Sequence, residues 1–133
     1  MPVVDASATL YLVASEDGLE ALAGLELVAP ALLWSEVTSV LNEMRWRQEI
    51  SEPLARAAFD RLLDAPISRR ASAELYRRAS TIAAELGWAK TYDAEYVALA
   101  QELGTTLITR DERLRRGAGR VVEVSGPDEI APP

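Results

Sequence analysis

The sequence predicts an α/β fold: a mostly parallel sheet with helices on its faces. Short strand-like runs with apolar centres at Val3–Val4, Leu25–Ala29, Thr105–Arg110 and Val121–Val124 are set apart by longer segments with helical periodicity. Such alternation of strand and helix fits strands that run the same way and cross over through helices. Two aspartates, Asp5 and Asp111, fall just past the first and third of these runs, where open α/β sheets hold their ligands.

At 133 residues the chain is long enough for one domain with its own core and short for two. We expect a single domain over residues 1–126 and a C-terminal tail over 127–133. Hydrophobic residues make up 49% of the chain, yet no run approaches a membrane span and no leader pattern opens it. The expectation is a cytoplasmic protein with no membrane association. There is no cysteine and no histidine. Catalysis must then use carboxylates, hydroxyls, Lys90, the arginines or a metal held by oxygen, which favours Mg²⁺ or Mn²⁺ over zinc. The net charge of -7 argues against a protein that coats nucleic acid. It leaves room for an RNA enzyme, because carboxylates gathered for a divalent cation lower the formal count.

Taken in order, Val3 and Val4 form a buried strand, Asp5 sits at its end, and Ala6 to Val13 follow as a helix. Asp17 to Gly24 suggest a short helix, and Leu25 to Ala29 a second strand ending at Pro30. A long helix runs from Ala31 to about Glu49, with Leu32, Leu33, Val37, Val40, Leu41 and Met44 in one apolar arc. Ser51, Glu52 and Pro53 start the next helix, with Leu54, Ala58, Leu62 and Leu63 expected inside and Pro66 ending it. Ser72 opens another, striped by Leu75, Ala79, Ile82, Ala83 and Leu86 and stopped by Gly87. Asp93 begins the helix that Gly104 stops; Thr105 to Arg110 form a strand, Asp111 opens a short helix, and Val121 to Val124 close the sheet.

Glu36 breaks the pattern, since it lies within its helix's apolar arc between Leu32 and Val40. A carboxylate facing a core must be paired, protonated or bound to a cation; otherwise its head must reach water at the stripe's edge. Glu43 and Glu49 are expected in solvent. Asp93 lies on the inner face with Val97 and Ala100, while Glu95 and Glu102 are expected opposite. Asp5, Asp93 and Asp111 can each be helix caps, with Tyr92 and Val97 stapling the cap at Asp93. In a parallel sheet, however, the strand ends gather along one edge. Asp5 and Asp111 meet there, and the helices carrying Glu36 and Asp93 can reach them. Four carboxylates so placed repel one another and raise each other's pKa without a cation; with one they form an oxygen cage suited to phosphodiester chemistry.

These residues resemble the PIN domain family, and within it the VapC-like ribonuclease toxins of toxin–antitoxin pairs. The matching pieces are VVDASA at Val3 to Ala8, Pro30 with LLWSEVTSVL through Leu41, YDAEYVALA at Tyr92 to Ala100, and LITRDERL at Leu107 to Leu114. The resemblance implies a PIN-like three-layer α/β/α sandwich whose acids are Asp5, Glu36, Asp93 and Asp111. It also implies a Mg²⁺- or Mn²⁺-dependent endoribonuclease with an antitoxin protein partner, an RNA substrate and a homodimeric state. Ser7 and Thr109 map onto the family's hydroxyl positions. Arg110 and Arg113 lead an arginine cluster, with Arg115, Arg116 and Arg120, that either grips RNA or faces solvent. Two other readings stand beside this one: a PIN domain that binds without cleaving, and an aspartate-based phosphotransferase or receiver domain. The last lacks a second acid beside Asp5, because Ala6 and Ser7 follow it.

Overall fold

The computed structural model of the chain describes residues 1–130. Its elements are β1 (Val3–Val4), α1 (Ala6–Val13), a 3-10 turn (Leu19–Leu22), β2 (Leu27–Pro30), α2 (Leu32–Trp46), α3 (Glu52–Asp64), β3 (Ile67–Arg70), α4 (Ala73–Leu86), α5 (Tyr92–Leu103), β4 (Leu107–Ile108), α6 (Glu112–Ala118) and β5 (Val124–Ser125). The strands form one sheet in the order β3-β2-β1-β4-β5, and every pairing is parallel. Val3 pairs with Val28 on one side and Leu107 on the other, which fixes the register at the centre. Parallel neighbours need crossovers, and right-handed ones put α1, α2 and α3 on one face and α4, α5 and α6 on the other. The packing agrees: α1, α2 and α3 touch one another, while α5 packs on α4 and on the central strands. The result is a three-layer α/β/α sandwich.

From β1 the chain steps to β2 and β3 on one side, then returns to β4 and β5 on the other. The order reverses between β1 and β4, which is where such sheets leave a crevice beyond the strand ends. Asp5 follows β1 directly, Thr109 follows β4 directly, and Asp111 opens α6. Topology alone brings these three to one place.

The core explains why the elements form where they do. Val3, Val4, Val28, Leu107 and Ile108 are fully buried in the sheet, and Leu33, Val37 and Leu41 face it from α2. Leu33→Ala is expected to cost about 2–5 kcal/mol, because the cavity left in a packed interior closes only in part; urea unfolding measures it, and a loss under 1 kcal/mol would refute this packing. Along α5, every residue from Ala94 to Ala100 is buried. A helix covered on all sides carries little amphipathic signal, and its end relies on Gly104, whose φ of 61° is left-handed and suits glycine.

Three expectations need correction. β3 was not foreseen: it follows Pro66, and beyond Ile67 its side chains are exposed, so an edge strand leaves no apolar alternation to read. On α3 the inner face is Ala55, Ala58 and Leu62, whereas Leu63 is 58% exposed and Leu54 is exposed too. Glu95 does not face solvent but is only 9% exposed, because α5 is covered on both flanks. Glu43 and Glu49 are exposed, as expected. After β5, Gly126 and Pro127 are buried and Glu129 pairs with Arg115; the rest of the expected tail, residues 131–133, lies outside the described residues.

Candidate acidic site at the sheet switch point

Asp5 is held by short local bonds and by the neighbouring strand's end. Its Oδ1 accepts from the Ala8 amide at 2.9 Å, which caps α1, and from the Ser7 hydroxyl at 2.8 Å. Its Oδ2 accepts from the Thr109 hydroxyl. Ser7 and Thr109 each have one proton to give, and both give it to Asp5. They accept in turn from the backbone of the β4–α6 connection: Ser7 from the Arg110 amide at 2.9 Å, Thr109 from the Asp111 amide at 3.0 Å. Asp5 and Thr109 are both buried, so this network stitches β1 to β4 at the crevice and orients the acid without neutralising it.

Glu36 is fixed from the other layer. Its Oε1 accepts the Tyr96 hydroxyl proton at 2.5 Å, joining α2 to α5. Tyr96 is 1% exposed, and burial together with the Glu36 charge pushes its pKa far up, so the hydroxyl remains a donor. Sequence reading passed over this residue. The available signal was a hydroxyl inside a mostly apolar stretch, three residues after Asp93.

Asp93 is not the cap expected for its helix. Thr91 occupies that position without a side-chain bond, and Asp93 sits in the first turn. Among the described residues no hydrogen bond holds its carboxylate, which leaves both oxygens available. Asp111 does cap α6, accepting from the amides of Arg113 at 2.9 Å and Leu114 at 3.2 Å. Both bonds use Oδ1, and among the described residues Oδ2 is left open.

The four acids act on one another. Burial raises the pKa of Asp5 despite its hydrogen bonds, and the Asp93 charge adds to this. Burial also raises Glu36, reinforced by Asp93 and Asp5. Asp93 is raised by burial and by Asp111, and Arg113 opposes the rise. Glu95, the buried acid that sequence reading placed outside, is raised by burial and by Glu36. A chain of repulsion therefore runs from Asp111 through Asp93 to Glu36 and Asp5, and Arg113 opposes it at Asp93.

Glu36 and Asp93 open into a cleft of about 580 Å³, lined also by Trp88, Lys90, Tyr92 and Arg113. The arginine cluster is divided. Arg113 faces this cleft; Arg110 lies over the Tyr11 ring at 4.3 Å from its centre, and Arg115 makes a two-point pair with Glu129 at 2.6 and 2.9 Å. Arg116 and Arg120 are exposed.

Oxygen donors, mutual repulsion and the absence of histidine or cysteine suit a hard divalent cation. Among the described residues, no three acids stand ready to hold an ion by themselves. The hydrogen bonds explain part of this, since both oxygens of Asp5 and one each of Glu36 and Asp111 are already engaged. An ion such as Mg²⁺, which keeps several waters and takes only one or two carboxylates directly, fits this donor set.

Fold and site together define a parallel α/β/α domain with an acidic centre at the switch point of its sheet. The PIN domain family profile matches residues 3–120, and the chain belongs to that family. It is 35% identical over 115 residues to Ribonuclease VapC9 of Mycobacterium tuberculosis, across 86% of this chain and 88% of that one. Among solved structures it is similar to PAE2754 from Pyrobaculum aerophilum, with a TM-score of 0.72 and 23% identity over 92% of this chain and 89% of that one. A toxin-antitoxin complex from Klebsiella pneumoniae gives a TM-score of 0.65 at 21% identity, covering 98% of this chain and 100% of that one. These structural likenesses are to the fold. No helix among the described residues is long and apolar enough to cross a membrane.

Proposed function

We propose that this protein is a divalent-metal-dependent endoribonuclease, the toxin of a cytoplasmic toxin–antitoxin pair, hydrolysing RNA at Asp5, Glu36, Asp93 and Asp111. The observation that carries the reading is the set of mutually repelling carboxylates at the switch point, in a chain whose relatives are named VapC ribonucleases. Asp5, Asp93 and Asp111 would hold Mg²⁺ or Mn²⁺, directly or through water. Such an ion supplies positive charge at the scissile phosphate and makes water a better nucleophile near neutral pH.

The chain's own side chains do the rest. Tyr96 fixes one oxygen of Glu36, so the other is the one that can accept a proton from the attacking water or complete the ion's shell. Ser7 and Thr109 hold Asp5 so that its carboxylate need not reorganise. Water adds to phosphorus in line with the bond to O3′; that bond breaks, the departing O3′ takes up the proton the water gives up, and the products carry a 5′-phosphate and a 3′-hydroxyl. An antitoxin would restrain this activity, and the toxin would act as a homodimer.

A direct test incubates the purified chain with end-labelled single-stranded RNA in Mn²⁺ or Mg²⁺ and in chelator. Cleavage only with the ion, leaving 5′-phosphate ends, is the expected result. Cleavage in chelator, or cyclic phosphate ends, would refute the mechanism. A second reading has an observation of its own, that among the described residues no three acids are poised around one ion: a PIN domain that binds RNA or protein without cutting. It predicts no cleavage and no metal-dependent stabilisation.

A further inference from the structure

The four acids are not secured alike. Asp5 and Glu36 are bound to side chains of other elements, and Asp93 belongs to a helix in which every residue from Ala94 to Ala100 is buried. Asp111 differs. Its own amide is anchored at Thr109, but among the described residues its carboxylate is bonded only to the Arg113 and Leu114 amides, so it points where the first turn of α6 points. That helix is short, with Leu114 and Ala118 as its buried residues, and its main packing partner is β5 at the edge of the sheet.

α6 has a second support, Trp88. A Cβ at Gly117 would stand 2.8 Å from Cζ2 of the indole, 3.5 Å from Cε2 and 3.6 Å from Nε1. Ring and helix backbone therefore touch, and only glycine admits the contact. Glycine is the poorest helix former after proline, yet it stands inside this short helix. Trp88 has little freedom to retreat. α4 ends at Gly87 with φ 73°, and the closing bonds run from the Gly87 amide to the Ala84 carbonyl and from the Trp88 amide to the Ala83 carbonyl, the latter at 2.8 Å. This paired closure fixes the backbone of the residue after the glycine, and the ring itself is half-buried against the core.

We propose that Trp88 is a positioning residue for the divalent ion: by seating α6 on the end of α4 through Gly117, it sets where the Asp111 carboxylate stands against Asp93, and so how tightly the acidic centre holds its cation. The proposal rests on the metal-dependent reading and extends it to a residue that offers the ion no oxygen. Asp93 and Asp111 are near enough for their charges to act on each other, and a cation draws on both only while α6 keeps its seat. Groups behind the ligands commonly change metal affinity by roughly 10- to 100-fold.

Mn²⁺ binding to the full chain, read from the electron paramagnetic resonance of the free ion, tests this at a temperature where circular dichroism shows every variant folded. Gly117→Ala should raise Kd roughly tenfold. Alanine favours helix more than glycine, so an effect on the helix alone predicts no loss. Adding Trp88→Phe, whose shorter ring makes room for the new methyl group, should recover most of the affinity. In Asp111→Asn, Gly117→Ala should have almost no further effect, because the charge it displaces is gone. Leu62→Ala, a core change on α3, should leave Kd unaltered. In ion-free buffer, Trp88→Ala should speed amide hydrogen exchange across α6 by about tenfold or more and leave α5 unchanged. Wild-type Kd in Gly117→Ala, or the same loss in the Asp111→Asn background, would overturn the role of Trp88 while metal binding stands. Unchanged exchange in Trp88→Ala would overturn the seat itself. A wild type that binds no Mn²⁺ would refute the metal-dependent reading, and this role with it.

Discussion

Asp93→Asn is expected to lower RNA cleavage by on the order of a thousandfold, the scale of removing one preorganised electrostatic group from a reacting centre, while the fold stays intact. Asp93 is the cleanest of the four acids to test. Asp5 and Asp111 cap helices and Glu36 is tied to Tyr96, so changing any of them also disturbs a structural bond. Asp93 caps nothing, since Thr91 stands at the helix start, and asparagine keeps its shape while removing the charge. Asp5→Asn should fall as far, though it disturbs the bonds from Ser7 and Thr109. Single-turnover cleavage with saturating Mn²⁺ measures both, beside circular dichroism. Cleavage by Asp93→Asn within tenfold of wild type would remove Asp93 from the site.

The legible parts of the fold were those with a local cause. Ser51 and Ser72 accept amide protons at their helix starts, and Gly87 and Gly104 end helices with positive φ; each was readable because a cap is a matter of a few adjacent residues. Edge strand β3 was not, because its backbone pairs with β2 while its side chains face solvent. The strand expected over Val121 to Val124 begins three residues later, at Val124–Ser125, because Val121 and Val122 are drawn into closing α6 through bonds to the Ala118 carbonyl.

The acidic positions were readable for a similar reason: strand ends and a broken apolar stripe are local. What joins them was not. The Tyr96 bond to Glu36 spans 60 positions and the Thr109 bond to Asp5 spans 104, and no spacing rule reports contacts between elements that far apart. Glu95 illustrates the limit on a single helix. A face reads as solvent only if nothing packs on it, and α5 is covered by the sheet and by α4.

The second large effect is on stability. In ion-free buffer the acids oppose folding, so Asp93→Asn should melt above wild type; with millimolar Mn²⁺ the order should reverse. The sign follows from linkage. Asp5, Glu36 and Asp93 are raised in the folded state by burial and mutual charge, whereas in the unfolded chain they titrate near their ordinary values of about 4. The folded protein thus holds these protons to higher pH, and their cost to stability is absent below pH 4 and grows as pH rises through the raised values. The gap between Asp93→Asn and wild type should widen over that range, and taking the difference cancels the groups both chains share. A cation that binds the deprotonated carboxylates turns the same repulsion into affinity, so its stabilisation increases with pH. At a hundredfold excess over Kd it is worth about 2.7 kcal/mol, roughly 10 °C in Tm for a chain of this size. Melting curves from pH 4 to 8, with and without Mn²⁺, measure both effects. A wild type that does not respond to the ion, or a variant that responds equally, would leave the carboxylates without a metal to hold and favour a PIN domain that binds without cutting.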